Sequence, residues 1–292
     1  MTIWNLGSVN ADLVYRLPHL PTAGETLTAT SHSKGLGGKG ANMSVAAVRA
    51  DAQVEHIGAL GADGDWMRER LLSYGVGVSR LTTIGATSGH AIIMLDEAGE
   101  NQIVIYPAAN RMIEAESIPK ALSAAQPGDI ALCQNETNAQ VEFLSHARSA
   151  GLRVAYAAAP FDVDSVRAAL PFLDILILNA VEAQQLEQAI EEALNTLPVA
   201  DIVVTLGGEG CRWINRAAVT DRTFPAPRVE VVDTTGAGDT FTGYFLAALD
   251  AGETTERALD LAQRAGAVMV TRLGTADVIP TRKEVADFFA PA

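Results

Sequence analysis

The stretch VVDTTGAGDTFTGYF, residues 231–245, is the most informative segment of the chain because a glycine-rich turn in it leads into a helical pattern. The backbone N–H groups of a Gly-Ala-Gly turn point into one concavity, and the helix that follows adds partial positive charge, so the place suits a phosphate. The carboxylate of Asp239, at the same place, would repel a phosphate. Asp239 is therefore either the N-cap of the helix or a base with a chemical role beside a phosphate.

Outside this segment, short apolar runs of strand length alternate with helical patterns. The runs are TIWNLGSV, QVEHIGAL, DIALCQ, RVAYAAA, DILILN and DIVVTLG, and each is followed by polar, turn-forming or helix-starting residues. This alternation is typical of a parallel sheet covered by helices on both faces. The sequence therefore predicts an α/β fold in which residues 1–292 form one domain.

Two segments depart from the alternating pattern and are predicted to form extended hairpins. They are ETLTATSHSKGLGG, residues 25–38, and SGHAIIMLDEAGENQIVIYPAAN, residues 88–110, with a turn at 97–100. Ligands of open α/β sheets bind beyond the carboxyl ends of the strands, so a small β-sheet there would act as a lid that excludes water. We assign this lid to about residues 12–36 and 88–110. Its edges carry no obvious protective charge, which predicts a homodimer that forms through the lid.

The composition argues against several classes of protein. The 292 residues include 35 acidic and 21 basic side chains, and the formal charge of −14 argues against nucleic-acid binding. The two cysteines have no Cys or His at metal-ligand spacing, which indicates a reducing compartment and no structural zinc. We find no signal-peptide pattern and no apolar stretch of membrane-spanning length, so the expectation is a cytoplasmic protein without a membrane partner.

Two further motifs carry polar residues in unusual settings. In GSVNADLV, Asn10 and Asp12 lie two apart at the end of the first predicted strand, so in an extended chain they point to one side and suit a polyhydroxyl ligand. An Asx turn that closes the strand explains them equally well. In GLGGKGANMSVAAVRA, glycines surround Lys39 ahead of a helix predicted to begin near residues 41–42, without the spacing of a P-loop. A tight turn explains these glycines but neither Lys39 nor Asn42.

Taken together, these motifs resemble a known family. GGKGAN at 37–42 and DTTGAGDTFTG at 233–243, with GSVNAD before them and NAVEAQQL between them, are similar to the signature regions of the ribokinase-like (PfkB) carbohydrate kinases. The resemblance covers almost the whole chain in the same order. It implies a ribokinase-like parallel-sheet sandwich with a small β-sheet lid. The lysine of GGKGAN together with NAD upstream is most similar to the ribose-phosphorylating branch. That branch implies transfer of the γ-phosphate of ATP to the primary hydroxyl of D-ribose.

The resemblance also implies roles for individual residues. Asp239 would be the catalytic base, and the amides of Gly236, Ala237 and Gly238 would form an anion hole for the transferred phosphoryl group. The residues implied around the sugar, besides Asp239, are Asn10, Asp12, Gly38, Lys39, Asn42 and Glu136.

The nucleotide and ion sites are implied in the same way. Asn179 and Glu182 would arrange Mg²⁺ waters and phosphates, although a helix start with an ordinary first-turn glutamate is the alternative for this pair. The other residues implied at the nucleotide are Thr205, Gly207, Gly210 and Gln263, and a tight turn is the alternative for the two glycines. A potassium ion would be held by Asp233, Thr235 and carbonyls of Met269, Arg272 and Gly274.

Three positions depart from the family pattern. Ala157 in YAAAPFD stands where an asparagine is common, which removes a polar group near the site. Val278 replaces a polar residue of the cation loop, and Gln263 stands where Asn or His is frequent beside adenine. Other acceptors therefore stay open, namely deoxyribose, a fructose-like sugar or a nucleoside, as does a sugar-binding regulator that has lost catalysis.

Overall fold

The computed structural model describes residues 1–290 and contains two β-sheets. In chain order the strands are β1 (Thr2–Leu6), β2 (Asn10–Arg16), β3 (Ser31–Gly37), β4 (Gln53–Gly61), β5 (Gly77–Ile84), β6 (Gly89–Leu95), β7 (Asn101–Tyr106), β8 (Ile130–Gln134), β9 (Arg153–Ala157), β10 (Ile175–Asn179), β11 (Asp201–Thr205), β12 (Cys211–Asn215) and β13 (Thr220–Phe224).

The helices connect these strands. They are α1 (Lys39–Arg49), α2 (Asp65–Ser73), α3 (Ile118–Ala121), α4 (Gln140–Ser149), α5 (Val163–Ala169), α6 (Ala180–Ile190), α7 (Ala237–Asp250), α8 (Thr255–Met269) and α9 (Arg282–Phe288). Single 3₁₀ turns lie at Ala108–Arg111, Ala115–Ser117, Leu170–Phe172, Leu194–Thr196, Gly207–Glu209 and Ala276–Val278. Helix α1 begins at Lys39, two residues before the start expected from sequence. Within residues 1–290, no helix has the length and apolar character needed to cross a bilayer.

The large sheet has nine strands in the order β13-β12-β11-β10-β9-β8-β1-β4-β5. From β11 to β5 all neighbours are parallel, as the alternating pattern predicts. One edge of the sheet is antiparallel, because β12 pairs antiparallel with β11 and β13 pairs antiparallel with β12, two strands that were not predicted from the sequence. Only residues 206–210 join β11 to β12, and a parallel crossover needs a dozen residues or more.

Two apolar cores lie on the two faces of the large sheet. Side chains alternate between them along each strand, as β1 shows with Ile3 in one core and Trp4 in the other. The first core packs against α1, α7 and α8, and the second packs against α4, α5 and α6. Each core contains one free cysteine, Cys211 in the first and Cys133 in the second, and both are fully buried. Burial raises the pKa of the Cys211 thiol to about 12 and raises that of Cys133 as well.

The small sheet has four strands in the order β3-β2-β6-β7. Its β6–β7 hairpin confirms the predicted turn, where Asp96 Oδ1 accepts from the N–H groups of Ala98 and Glu100 at 2.9 Å each. Asn10 and Asp12 begin β2 of this sheet, whereas the sequence placed them at the end of the first strand. Residues 7–9 separate the two strands because Gly7 turns there against Gly40 of α1.

Candidate active site

The amino end of α7 is built on Gly236, which adopts a left-handed conformation with φ of 72° and is the N-cap residue. Asp239 is the third helical residue, so the interpretation of Asp239 as the N-cap is wrong. Its side chain does not cap the helix; instead Oδ2 accepts a hydrogen bond of 2.9 Å from Nδ2 of Asn42 in α1. The carboxylate is buried at the start of a helix whose first N–H groups carry partial positive charge.

Charged groups from three elements converge on Asp239. Burial raises the pKa of the Asp239 carboxyl, while the Lys39 ammonium and the Asn42 amide act in the opposite direction. The pKa of Lys39 is raised, chiefly by Asp239 and with contributions from Glu136 and Glu182, which outweigh its own burial. The structure thus gathers one cation and three carboxylates that are far apart in sequence.

A set of hydrogen bonds joins the GGKGAN loop to Glu136. The backbone N–H of Lys39 donates to Glu136 Oε2 at 3.0 Å, and the Ser8 hydroxyl donates to the same oxygen. Ser8 Oγ also accepts from the N–H of Gly40 at 3.2 Å. Gly38 precedes Lys39 with φ of 92°, a conformation that favours glycine. Sequence reasoning missed Ser8, although it lies within the GSVNAD motif.

Asn10 is held by Asn110, a residue that sequence reasoning did not select. Asn110 Nδ2 donates to Asn10 Oδ1 at 2.7 Å, and Asn110 Oδ1 accepts from the N–H of Val9 at 3.0 Å. An Asx turn is therefore not the arrangement here, because the partner of Asn10 is 100 residues away. Asn110 follows the small sheet in a 3₁₀ turn, and no local signal distinguishes it.

Asp12 is buried beside Gly37 and Thr275. A Cβ on Gly37 would overlap the Asp12 carboxylate, so the glycine provides the space for it. The Thr275 hydroxyl, which donates to the Leu36 carbonyl at 2.9 Å, lies 3.4 Å from Asp12 Oδ2. Burial raises the pKa of Asp12 to about 6, and nearby Glu136 and Asp239 act in the same direction. Thr275 also went unrecognised in the sequence because it contacts the site only through the fold.

Asn179 and Glu182 form a reciprocal cap at the start of α6. Asn179 Oδ1 accepts from the N–H of Glu182 at 2.9 Å, and Glu182 Oε2 accepts from the N–H of Asn179 at 2.8 Å. The hydrogen bonds between Asn179 and Glu182 are therefore those of a helix start with a first-turn glutamate, the alternative given for this pair in the sequence analysis. The Glu182 carboxylate lies near the charged groups around Asp239, because Lys39 lowers its pKa and Asp239 raises it, although burial is the largest cause of its raised pKa.

The remaining predicted nucleotide residues lie around the end of β11, next to Asn179. Thr205 pairs with Asn179 across the sheet. Gly207 and Gly210 have φ of 59° and 111°, and a Cβ on Gly210 would overlap the Phe224 carbonyl oxygen. Close backbone packing thus accounts for Gly210. Oriented to satisfy its hydrogen bonds, the Gln263 amide donates to the carbonyls of Phe224 at 3.1 Å and Pro225 at 3.3 Å.

The loop predicted to hold a cation lies against Asp233 and close to Gly236. Asp233 Oδ1 accepts from Thr235 N at 2.9 Å and Thr235 Oγ1 at 2.6 Å, and Oδ2 accepts from Gly274 N at 3.3 Å. The N–H of Arg272 donates to the Met269 carbonyl at 3.0 Å. A Cβ on Gly236 would lie 3.3 Å from Met269 Cε. The structure therefore places Asp233 against Thr235 and Gly274, and the Met269 side chain next to Gly236.

Ala157 lies at the carboxyl end of β9, and its methyl group is part of the first core. Its partner across the sheet is Gln134 of β8, whose Oε1 is buried and has no hydrogen-bond partner within residues 1–290. Ala157 thus has no polar group to offer its neighbour, as expected from the sequence, and Gln134 Oε1 stays without a hydrogen-bond partner in the described part of the chain.

The positions of these residues agree with a comparison across the whole chain. A model of the pfkB carbohydrate kinase family matches residues 3–282. The chain belongs to this family. A PfkB enzyme is a phosphotransferase that acts on carbohydrates, and the buried carboxylate, the lysine and the glycine turn at a helix start are groups that suit such a transfer.

Individual proteins of the family resemble the chain over its full length. The ribokinase of Haemophilus influenzae is 32% identical over 306 residues, which cover 100% of this chain and 99% of that protein. The ribokinase of Bacillus subtilis is 35% identical over 292 residues, with 98% of each chain covered. A solved structure of Arabidopsis thaliana ribokinase complexed with ribose and ATP has a TM-score of 0.86 at 27% identity, covering 100% of this chain and 99% of that one. The predicted ribokinase-like α/β fold is confirmed.

Proposed function

We propose that this PfkB kinase transfers the γ-phosphoryl group of ATP to the primary hydroxyl of D-ribose and forms ribose 5-phosphate. The observation that carries the proposal is the convergence of Asp239, Asn42 and Lys39 at the turn of Gly236–Gly238. The likeness to two ribokinases, and to a ribokinase structure complexed with ribose and ATP, supports ribose as the acceptor.

In this proposal, Asp239 accepts the proton of the attacking hydroxyl. Asn42 orients the carboxylate through its 2.9 Å hydrogen bond, and Lys39 stabilises the ionised form. The amides of Gly236, Ala237 and Gly238 would bind the transferred group, for which the Ala237 N–H would exchange its present bond of 3.2 Å to the Thr234 carbonyl. The partial positive charge of the α7 amino end would offset the negative charge of that group. A catalytically inactive regulator has no need of this combination of base and anion hole.

The sugar lies among Asn10, Asp12, Gly38, Lys39, Asn42 and Glu136. Asn42 Oδ1 is buried and has no partner within residues 1–290, so a sugar hydroxyl would satisfy it. Asp12 and Asn10 are already oriented by Thr275 and Asn110. A site built in this way rejects analogues that lack a hydroxyl, because its own polar groups would stay unpaired.

The nucleotide lies along Thr205, Gly207, Gly210 and Gln263, and Mg²⁺ neutralises charge on its phosphates. The described residues contain no group of three His, Cys, Asp or Glu side chains able to hold a metal. Mg²⁺ keeps several waters and binds through phosphates and one or two carboxylates. Glu182, held in place by Asn179, supplies such a carboxylate.

Potassium, dimerisation and location are parts of the same proposal. Asp233, Thr235 and the carbonyls of Met269, Arg272 and Gly274 would hold a K⁺ ion, which suits oxygen ligands that are mostly uncharged. The small sheet would serve as a lid and as the contact between two copies of the chain. We place the enzyme in the cytoplasm, in keeping with its two free cysteines.

The experiment is to measure ADP formation with a panel of acceptors and to locate the phosphate on the product by ³¹P and ¹³C NMR. The panel contains D-ribose, 2-deoxyribose, fructose and inosine. We expect D-ribose to have the highest kcat/KM and the phosphate to lie on O5. Undetectable binding of ribose together with efficient turnover of a nucleoside or a hexose would refute the assignment.

A further inference from the structure

A row of buried polar side chains lies directly under the loops assigned to the sugar. We call it the buried polar chain, and it consists of Gln134, Asn5, Ser44 and His56, each no more than 1% exposed. These residues come from β8, β1, α1 and β4, so the buried polar chain connects four elements. None of them has a role in the proposed chemistry.

The hydrogen bonds of the buried polar chain run in one direction. Gln134 Nε2 donates to Asn5 Oδ1 at 2.8 Å, and Asn5 Nδ2 donates to Ser44 Oγ at 2.8 Å. Ser44 Oγ lies 2.9 Å from His56 Nδ1, and His56 Nε2 lies 3.0 Å from the Gly7 carbonyl oxygen. A carbonyl oxygen can only accept, so His56 carries its proton on Nε2, and Nδ1 accepts from Ser44. Burial lowers the pKa of His56 to about 4, which keeps the imidazole neutral.

Two members of the buried polar chain, His56 and Asn5, bind the place where Gly7 crosses Gly40. A Cβ on either glycine would overlap the Cα of the other, so these backbones are in direct contact. His56 binds the carbonyl of Gly7, and Asn5 Nδ2 donates to the carbonyl of Gly40 at 2.8 Å. The carbonyl of each glycine at the crossing therefore accepts a hydrogen bond from a buried side chain.

The residues next to this crossing are the ones assigned to the sugar. Ser8 follows Gly7 and Lys39 precedes Gly40, and both donate to Glu136. Glu136 lies two residues after Gln134, the other end of the buried polar chain. A small change in the crossing would therefore displace all three segments together, and misplacement by about 1 Å can cost roughly a hundredfold in rate.

We propose that His56, Ser44 and Asn5 are positioning residues for sugar binding, which they promote by fixing the Gly7–Gly40 crossing; this inference rests on the proposed function. An apolar core of the same shape could be as stable, because a buried polar network gains little net free energy. Unlike an apolar core, a network in which each hydrogen bond has one direction holds its side chains in a single geometry.

The test compares His56→Phe with the double variant Ser44→Ala/His56→Phe. The single variant leaves the Ser44 O–H without its acceptor and the Gly7 carbonyl without the His56 donor. The double variant removes that hydroxyl, and Asn5 Nδ2 keeps its bond to the Gly40 carbonyl while losing the one to Ser44. For both we expect the sugar kcat/KM to fall about tenfold to a hundredfold, chiefly through KM, with KM for ATP changed less than about twofold. The melting temperature should fall in the single variant and recover in part in the double variant, in which one N–H of Asn5 Nδ2 loses its acceptor.

Trp4→Phe is the matched control, because it removes one buried hydrogen bond, from Trp4 Nε1 to Asp129 Oδ2 at 2.9 Å, and the Trp4 side chain lies in the second core, on the opposite face of the sheet from Asn5. Its melting temperature should fall while sugar KM stays at the parental value. If sugar KM recovers with stability in the double variant, or if Trp4→Phe raises it equally, these residues support the fold alone and the proposal is wrong.

A second measurement does not depend on which acceptor the enzyme uses. The ¹⁵N shifts of His56 should report a neutral ring protonated on Nε2 from about pH 5 to 9. A proton on Nδ1, or titration near the ordinary histidine pKa, would overturn the directed chain even in an active enzyme. The parental protein could instead phosphorylate no sugar while His56 shows the expected tautomer. In that case the proposed function is wrong, and so is the role of the buried polar chain in sugar binding, although its hydrogen bonds are as described.

Discussion

At the scale of single residues, Asp239 has the surroundings of a general base and lacks those of a helix cap. Asparagine has the same shape but cannot accept the hydroxyl proton, so Asp239→Asn should lower kcat by roughly a hundredfold to ten-thousandfold. Binding of sugar and ATP should survive, and ATP should bind more tightly without a negative neighbour. Steady-state kinetics, calorimetry and melting temperatures on the same preparations check this.

Asp250→Asn is the matched control for Asp239→Asn. Asp250 ends the same helix, and its pKa is also raised by burial, but it is remote from the glycine turn. Its replacement should leave kcat unchanged. A folded Asp239→Asn protein that binds both ligands and turns over at the parental rate would contradict the assignment of the base.

Asp12 lowers the stability of the free enzyme at neutral pH, because its folded pKa of about 6 exceeds the ordinary 3.8. The stability that this group contributes is full below about pH 4 and is lost as the pH rises through about 6. The difference between the two values corresponds to at most about 3 kcal/mol. Asp12→Asn should therefore raise the melting temperature at pH 7.5 and weaken sugar binding.

The control for Asp12→Asn is the same comparison in acid. The gain in melting temperature should shrink as the pH falls below about 6 and disappear well below the ordinary pKa of 3.8, where Asp12 is protonated in both the folded and the unfolded parental protein. Thermal scans at several pH values without sugar measure it. A gain that does not vary with pH would show that the ionised carboxylate is not its source.

At the scale of elements, α1 and α7 approach each other closely at Gly243. A Cβ there would lie 2.5 Å from Ala46 Cβ and 2.6 Å from the Met43 carbonyl oxygen. Gly243→Ala should therefore push the helices apart, lower stability by about 1–3 kcal/mol and weaken the contact of Asn42 with Asp239. Denaturant unfolding and kcat measure the two effects.

Gly266→Ala is the control within α8, where the nearest atom to a new Cβ is 3.7 Å away. This change should be neutral or stabilise the helix by up to about 1 kcal/mol. If both substitutions change stability and kcat equally, the close approach of the helices at Gly243 does not contribute to activity.

The loop after α8 predicts a dependence on potassium. An ion bound by Asp233 and nearby carbonyls would order the back of the turn at Gly236, so activity should be higher in KCl than in choline chloride of equal ionic strength. Asp233→Ala should abolish the difference, whereas Asp277→Ala in the same loop should keep it. Equal rates in the two salts for the parental enzyme would remove the ion from the proposal.

The sequence predicted the elements better than the contacts between them. Motif spacing located the glycine turn, Lys39 and Asp239, since these depend on neighbours in the chain. Asn110 and Thr275 could not be selected from the sequence, because each has an ordinary local sequence. Their partners, Asn10 and Asp12, are 100 and 263 residues away along the chain. Strands β12 and β13 were not among the predicted runs, because CRWIN and TDRTF are short and interrupted by polar residues.

At the scale of the whole molecule, the small sheet has an exposed apolar edge. Ile103, Val104, Ile105 and Tyr106 of β7 are each 51–58% exposed, and β7 has no neighbour on its outer side within residues 1–290. We expect the chain to dimerise through this sheet. Because each copy carries a charge of −14, association should strengthen as salt rises.

Sedimentation velocity at several salt concentrations measures this dimer. Ile103→Lys/Ile105→Lys should give a monomer, and Val219→Lys, on an exposed turn of the large sheet, should not. A parental protein that is monomeric at micromolar concentration in high salt would argue against the dimer.

The burial of both thiols, Cys133 and Cys211, has a practical consequence for labelling. Each is fully buried and has a raised pKa, so maleimide dyes will not react with them in the folded protein. Cysteines introduced by Gln102→Cys on the small sheet and Val219→Cys on the large one can therefore carry a fluorescent donor and acceptor without removal of any native cysteine. The energy transfer between the two dyes would then follow, in real time and in single molecules, how far the small sheet travels when sugar is added.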